Sequence, residues 1–498
     1  MAGTPERDFK MHRTIRTFLL AGAALSFSAG AALAQQTDPR VTLLEQQLRD
    51  VQAAVDALKK AQANADNSAA LSDLKRSTSS QYDDLTKQIA ALPKITHPNG
   101  RFTFASADGD FSLALRALVQ FDAGYLSQGR NPTTVDLNSG TNFRRAQLGF
   151  QGTVFRDWSY NFIYDFGGYG AEGRGYIYNA YIEYDGLKPF FFRIGAYTPP
   201  EGLEDQTGSG DLLFPERASA VDIARNIAGA PSREAASIFA QGDDYLVSLS
   251  YTGKKTGDNT STGAVVPTFD AQQALIGRAA WLAVSTPDIK WLVEGHLTDV
   301  LKLSDPAAGS AATVMRFSNG PEVAVDPSKT VDTGTLDAKS AREFGFESAG
   351  TFQGFYAQGG WFRYELARRL ALPNPHFTGW YGLLTYSLTG EQHPYDPATA
   401  SFRNLRPNSP FSSGKGWGAW ELAARYSSID LNFQPFTSAA SGGVAGGKQD
   451  VWTLGINWYP NNAIKFQLDY DNLQVAHPNA PANDISASAI VLRSQIAL

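Results

Sequence analysis

The chain has 498 residues, no cysteine, 12% aromatic residues and a formal net charge of -6. Its mean hydropathy is -0.26. No apolar run long enough for a membrane-spanning helix follows Gln35, which excludes a helical membrane protein. The acidic balance argues against a nucleic-acid partner, and the missing cysteines rule out disulfide staples.

Residues 1–34 read as a signal peptide. Lys10, His12, Arg13 and Arg16 form a basic start, and Phe18 to Ala29 a short apolar core. Ala32-Leu33-Ala34 offers a small-x-small cleavage pattern, leaving Gln35 as the new N-terminus. Met11 could equally serve as the start. The apolar core is too short for a membrane anchor. Such a segment marks the chain for export to the cell envelope.

Residues 35–98 carry a different code. Val41, Leu44, Leu48, Val51, Val55 and Leu58 step by three and four, the seam of a coiled coil. Asn64 to Ser68 interrupts it, and Leu71, Leu74, Tyr82, Leu85, Ile89 and Leu92 resume it. Pro93 and Pro98-Asn99-Gly100 end it. So narrow a stripe cannot bury itself in one chain. The expectation is a periplasmic helical segment that self-associates, as a parallel trimer. The alternative is a lone helix lying on another surface.

Residues 99–498 are written with period two. Phe111, Leu113, Leu115, Ala117, Val119, Phe121, Ala123 and Tyr125 share one face; Ser112, Arg116, Gln120 and Asp122 share the other. Trp158 to Phe166, Tyr176 to Tyr184, Trp420 to Tyr426, Trp452 to Trp458 and Ile464 to Tyr470 repeat the beat. No amphipathic helices alternate with the strands to cover the oily face. Lipid is the cover that remains, and in lipid a sheet must close on itself. The expected fold is all-β, an antiparallel transmembrane β-barrel of about sixteen strands, wide enough to hold a water channel. A soluble propeller would need neither aromatic girdles nor an aliphatic last strand. Asp185 to Lys188 and Tyr459 to Asn462 read as periplasmic turns. Val300 to Ala341 and Thr389 to Trp417 read as external loops.

Parity then selects the wall charges. Arg116, Arg145, Arg193, Arg425, Lys465 and Arg493 oppose the oily set and are expected to line the lumen. Arg144 falls outward unless a bulge shifts it or it lies at a contact between copies. Such arginines favour anions unless lumenal acids pair with them; the candidate partners are Asp122, Asp165, Glu183, Glu421 and Asp469. The six histidines show no metal-ligand spacing with one another, and no cofactor is expected. His296 falls on the lumen side and reads as a solvated wall residue.

Several runs carry a resemblance. They include Phe143-Arg-Arg-Ala-Gln-Leu-Gly-Phe-Gln-Gly152, Asp157-Trp-Ser-Tyr160, Tyr181 to Pro189, Pro200-Glu-Gly-Leu-Glu204 and Phe214-Pro-Glu-Arg217. Trp420 to Ser427 and Leu454 to Tyr459 complete an ordered set. It resembles the porin O/P family of trimeric outer-membrane porins, which includes phosphate-selective members. The resemblance implies a sixteen-stranded homotrimer with a third loop, here about 199–225, folded into the lumen as a constriction. It matches Arg144 and Arg145 to the family's paired arginines. In this chain that loop is acidic, with Glu201, Glu204, Asp205, Asp211 and Glu216 against Arg217 and Arg225. Thr207 to Phe214 holds no basic residue, and the chain ends in Leu498. The reading is a passive porin for small hydrophilic solutes and ions, with a possible anion (phosphate) preference, and not an enzyme. Its partners would be outer-membrane lipid, two further copies, small anions and the barrel-assembly machinery. The alternative is a structural envelope tether that uses the coiled coil, with a non-selective or closed barrel.

Overall fold

A computed structural model describes residues 46, 49–57, 68–97, 101–130, 135–167, 175–256, 272–304, 313–412 and 415–498. The signal segment lies outside these residues, as does most of the first half of the helical seam. The chain divides into two units, Met1–Pro93 and Lys94–Leu498.

In the first unit, helix α1 spans Ser68–Ala90. Thr78 and Thr86 return their hydroxyls to the carbonyls of Leu74 and Tyr82, four residues back. On its apolar stripe Leu74 is 52% exposed and Tyr82 38%.

The second unit is a closed barrel of sixteen antiparallel strands. They are β1 Ser112–Arg130, β2 Gly140–Val154, β3 Trp158–Asp165, β4 Tyr176–Leu187, β5 Phe190–Tyr197, β6 Arg233–Gln241, β7 Tyr245–Lys255 and β8 Gln273–Ser285. Then come β9 Ile289–Lys302, β10 Ser340–Phe352, β11 Phe355–Ala367, β12 His376–Ser387, β13 Ala419–Phe433, β14 Val444–Tyr459, β15 Ile464–Ala476 and β16 Ile485–Ala497. Each pairs with its sequence neighbour, and β16 pairs with β1 from Ser486↔Arg130 to Ala497↔Leu118. Leu498 extends that seam through two backbone bonds with Ala117.

The burial is inverted relative to a soluble protein. On β14, Trp452, Leu454 and Ile456 are exposed while Thr453 and Asn457 are buried. The same holds around the wall: the apolar face looks out and Gln120, Asp122, Glu421 and Arg493 are buried inside. Near one rim, aromatic rings meet across strands, as in Trp158–Tyr184, Phe355–Tyr386 and the stacked row Trp420–Trp458–Phe466. Such a belt suits the boundary of an apolar layer.

Strand alternation assigns every connection to one of two ends. One end carries the tight turns at 155–157, 188–189, 242–244, 286–288, 353–354 and 460–463. Thr389 to Trp417 links β12 to β13 and therefore lies at this turn end, not with the long loops. That corrects the expectation of an external loop. Length marks a loop as unusual, but only the strand count says which end it leaves from. This insert enters the barrel: His393 faces Glu421 on β13 at 2.6 Å, and the Asn404 side chain donates to the Gly210 carbonyl at 2.7 Å.

From the other end, the segment between β5 and β6 also lies inside. It carries α2 Leu203–Gln206 and α3 Ser219–Asn226. A third inward segment joins β9 to β10. Its Phe317 packs on Tyr364 and Phe377, and its Glu322 accepts from Arg425, Ser219 and Ser427.

Candidate functional site

The β5–β6 segment is fastened at its start by a carboxylate from the opposite wall. Glu347 on β10 accepts the Leu203 amide at 2.6 Å and the Glu204 amide at 3.3 Å, capping α2. Gly202 makes room, since a Cβ there would sit 2.4 Å from Glu347 Oε2. Gly202→Ala is expected to unseat α2 at about 1–3 kcal/mol, read as a lower Tm of the purified protein. Thr298 donates to Glu201 at 2.6 Å. Burial pushes Glu201 up to about 8 despite Arg233, and pushes Glu204 up to about 7 despite Arg425 and Arg217. Asp205 pairs with Arg225, and Arg217 donates to the carbonyls of Glu204, Asp205 and Thr207.

Further along, the loop carbonyls turn toward β13–β16 and β1. Gln120 holds Ser209 O at 2.9 Å; Gln495 and Lys465 hold Gly210 O at 2.8 and 3.0 Å. Lys465 and Gln467 hold Leu212 O, Gln467 and Asn457 hold Leu213 O, Arg493 holds Pro215 O, and Arg425 holds Glu216 O. Glu216 itself bridges Arg144 at 2.7 Å and Arg493 at 3.0 Å. Burial opposes its ionisation, but Arg144 and Arg493 outweigh burial and hold it well below the usual carboxylate range.

The wall arginines thus have different duties. Arg493 grips Asp122 with two bonds of 2.6 Å, Arg193 pairs with Glu183 beneath Tyr181, and Arg425 binds Glu322 at 2.7 Å. Arg144 reaches Glu216 because β2 is bulged there: Gln120 pairs with Arg145 and Phe121 with Phe143, so Arg144 is the extra residue. Arg145 donates to Gln120 at 2.7 Å. Among the described residues, neither Arg145 nor Arg116 has a carboxylate within 4.0 Å. Of the other lumenal acids, Asp165 accepts from Gln147 and two backbone amides, and Asp469 has no hydrogen-bond partner among the described residues.

Two of the cavities that lie beside this loop, among the described residues, are rich in cations. The one at the turn end, about 390 Å³, is lined by Arg101, Arg116, Arg403, Arg406 and Lys465 against one acidic side chain, Asp211. The one at the loop end, about 600 Å³, is lined by Arg144, Arg145, Arg225, Arg316 and Lys329 against Asp222. Tyr178 and Ser209 border both. Glu201, Glu204, Asp205 and Glu216 line neither: Thr298 takes up Glu201, Arg225 takes up Asp205, Arg144 and Arg493 take up Glu216, and Glu204 is buried with its Oε2 unpartnered among the described residues. Burial, with Arg116 and Arg403 close by, pushes Arg101 down to about 10, as expected where cations crowd.

His296 is not a solvated wall residue. The inserted loop buries it between Glu294 and Glu343, 3.0 Å from each. Glu294, His296 and Glu347 bring ligand atoms within 4.8 Å of one another. Each already has protein partners, with Arg278 on Glu294 and Tyr381 on Glu347, so the cluster reads as an ion-pair lattice that seats the loop. Arg101, Arg403 and Arg406 escaped the sequence reading because they stand outside the barrel strands, where alternation says nothing about facing. Tyr178, expected on the oily face with Tyr176 and Ala180, instead borders both cavities because β4 is bulged there: Ile163 pairs with Asn179 and Tyr164 with Ile177, leaving Tyr178 as the extra residue. Ser209 carries no charge that would have drawn notice.

A family model described as phosphate-selective porin O and P matches residues 112–498. Porin O of Pseudomonas aeruginosa is 26% identical over 410 residues, covering 76% of this chain and 86% of that protein. An uncharacterised protein of Caulobacter vibrioides is 26% identical over 378 residues, 73% of this chain and 68% of its own length. Among solved structures, the outer membrane channel DcaP of Acinetobacter baumannii aligns at 13% identity over 79% of this chain and 99% of that one, with a TM-score of 0.45.

Proposed function

Because this chain belongs to the phosphate-selective porin O and P family, a family of passive channels rather than enzymes, we propose that it is an anion-preferring porin of the Gram-negative outer membrane. The observation that carries this is the pair of cation-lined cavities meeting at Tyr178 and Ser209. A small anion moving between them would exchange hydration water for arginine and lysine contacts that are several and individually weak, the condition for passage rather than capture. The acidity of the inserted loop does not oppose this, since Asp211 is its one carboxylate in the turn-end lining.

In this reading the turn end faces the periplasm, lipid covers the apolar outer wall, and the barrel-assembly machinery inserts the chain. The exposed stripe of α1 supports a homotrimer joined through the helical segment. Purified protein in planar bilayers with a salt gradient should give a zero-current potential of the anion-selective sign; a cation-selective or absent potential refutes the preference. The same recordings should open in groups of three equal steps, and single steps alone would refute the trimer.

A further inference from the structure

The insert between β12 and β13 is tied down by groups of two kinds. Arg278 on β8 donates to the carbonyls of Thr399 and Ala400 at 2.7 and 2.8 Å, and a guanidinium keeps its proton at any working pH. His393 ties the other arm to β13, and an imidazole changes charge near neutrality. Its surroundings decide which form it takes. Nε2 lies 2.6 Å from Glu421 Oε1, and Nδ1 lies 2.7 Å from the Arg403 carbonyl. Both partners are acceptors, and a neutral ring has one N–H to offer them. Glu421 Oε2 in turn accepts from Tyr459 at 2.7 Å and Asn457 at 3.1 Å, the bonding of an ionised carboxylate. His393 is therefore an imidazolium, buried and paired with Glu421.

Other charged and titratable groups surround this pair. Glu204 and Asp211 of the β5–β6 segment and Tyr356 of β11 border a cavity of about 20 Å³ together with His393. The Tyr356 ring stands 4.9 Å from the imidazole. On the insert itself, Glu391 is held by Ser387 and the Asn408 amide, and the Arg403 side chain pairs with Asp396 and, at 3.5 Å, with Asp211. Lys465 of β15 reaches Asn404 at 3.3 Å. Burial alone would lower the His393 imidazolium, but Glu421 and the Arg403 carbonyl outweigh it and raise it above the usual histidine range. A group raised in this way keeps its clasp at low pH and loses it as pH climbs through the higher value. A cavity of that size holds about one water, enough to carry the proton.

We propose that His393 is a proton-operated latch: charged, it clasps the insert to β13 and fixes Arg403 over the turn-end cavity; neutral, it lets the insert lift and the passage widen. Without its proton the ring turns a lone pair toward an oxygen, and Glu421 loses its cation. Arg403 follows because its carbonyl rests on the ring while its side chain, with Ser401 and Asn404 of the same insert, lines the cavity. The latch governs aperture and is separate from the choice of ion.

The test is a pH series of single-channel recordings on the full-length protein in planar bilayers. At about 1 M salt, wall charges are screened within about 3 Å, so the current reports aperture. Wild type should pass from quiet steps at about pH 6 to larger, noisier ones at about pH 10. His393→Gln should give the large, noisy form throughout, because its one nitrogen cannot reach both acceptors. Glu421→Gln keeps the shape of the acceptor without its charge and should also lose the pH step. A wild-type current indifferent to pH overturns the latch without any variant. So does a step that survives either substitution, which would assign it to His296 or Lys465.

Discussion

Arg116→Ala with Arg145→Ala should lower the anion-to-cation permeability ratio by roughly tenfold or more, read from the zero-current potential in a salt gradient. A unit charge about 4 Å from a passing ion is worth about 1 kcal/mol in water and about 4 kcal/mol at an effective dielectric of 20. Removing it hurts the anion and helps the cation, so the ratio responds twice. Screening reduces the effect, which should therefore shrink as salt rises. Arg116 is the cleaner of the two, since among the described residues it has no ion pair to break. Arg145 also supports Gln120, so its loss mixes charge with loop position. An unchanged potential would mean that both charges are neutralised in the working protein.

The second large effect concerns stability. Arg493→Ala should cost about 3–5 kcal/mol, because it leaves Asp122 buried without its cation and strips one of the two arginines from Glu216. The expected result is a lower Tm together with noisier single-channel current, since the loop also loses its hold at Pro215. Arg493→Lys should recover little. An ammonium cannot reproduce two parallel bonds to Asp122 while still reaching Glu216 and Pro215. A Tm equal to wild type for Arg493→Ala would show that the loop is seated by other means.

Much of the wall was legible because one physical rule repeats along every strand. Charge on a face that meets an apolar surround is costly, so parity set Arg116, Arg193, Arg425, Lys465 and Arg493 opposite the oily face; Arg425, Lys465 and Arg493 are buried, and Arg116 and Lys465 border a cavity. What parity cannot foresee is an inserted residue. The bulge at Arg144 reverses the facing of one position, and nothing in Phe143-Arg144-Arg145 announces it. Nor does alternation describe segments that are not strands. The insert between β12 and β13 supplies Arg403 and Arg406 to the turn-end cavity, yet its sequence gives neither its end of the barrel nor its inward course. His296 shows the same gap. Its strand position was readable, but its burial depends on Gly202, brought against it by a loop far earlier in the chain.

The seam between the last strand and the first has a consequence for biogenesis. Export delivers the N-terminal half first, while the final residues clasp β1. Until the whole polypeptide has been delivered, β1 keeps a naked flank of amides and carbonyls, able to zip onto any other extended segment nearby. Losing only the last dozen residues would turn a finished cylinder into an unlatched ribbon.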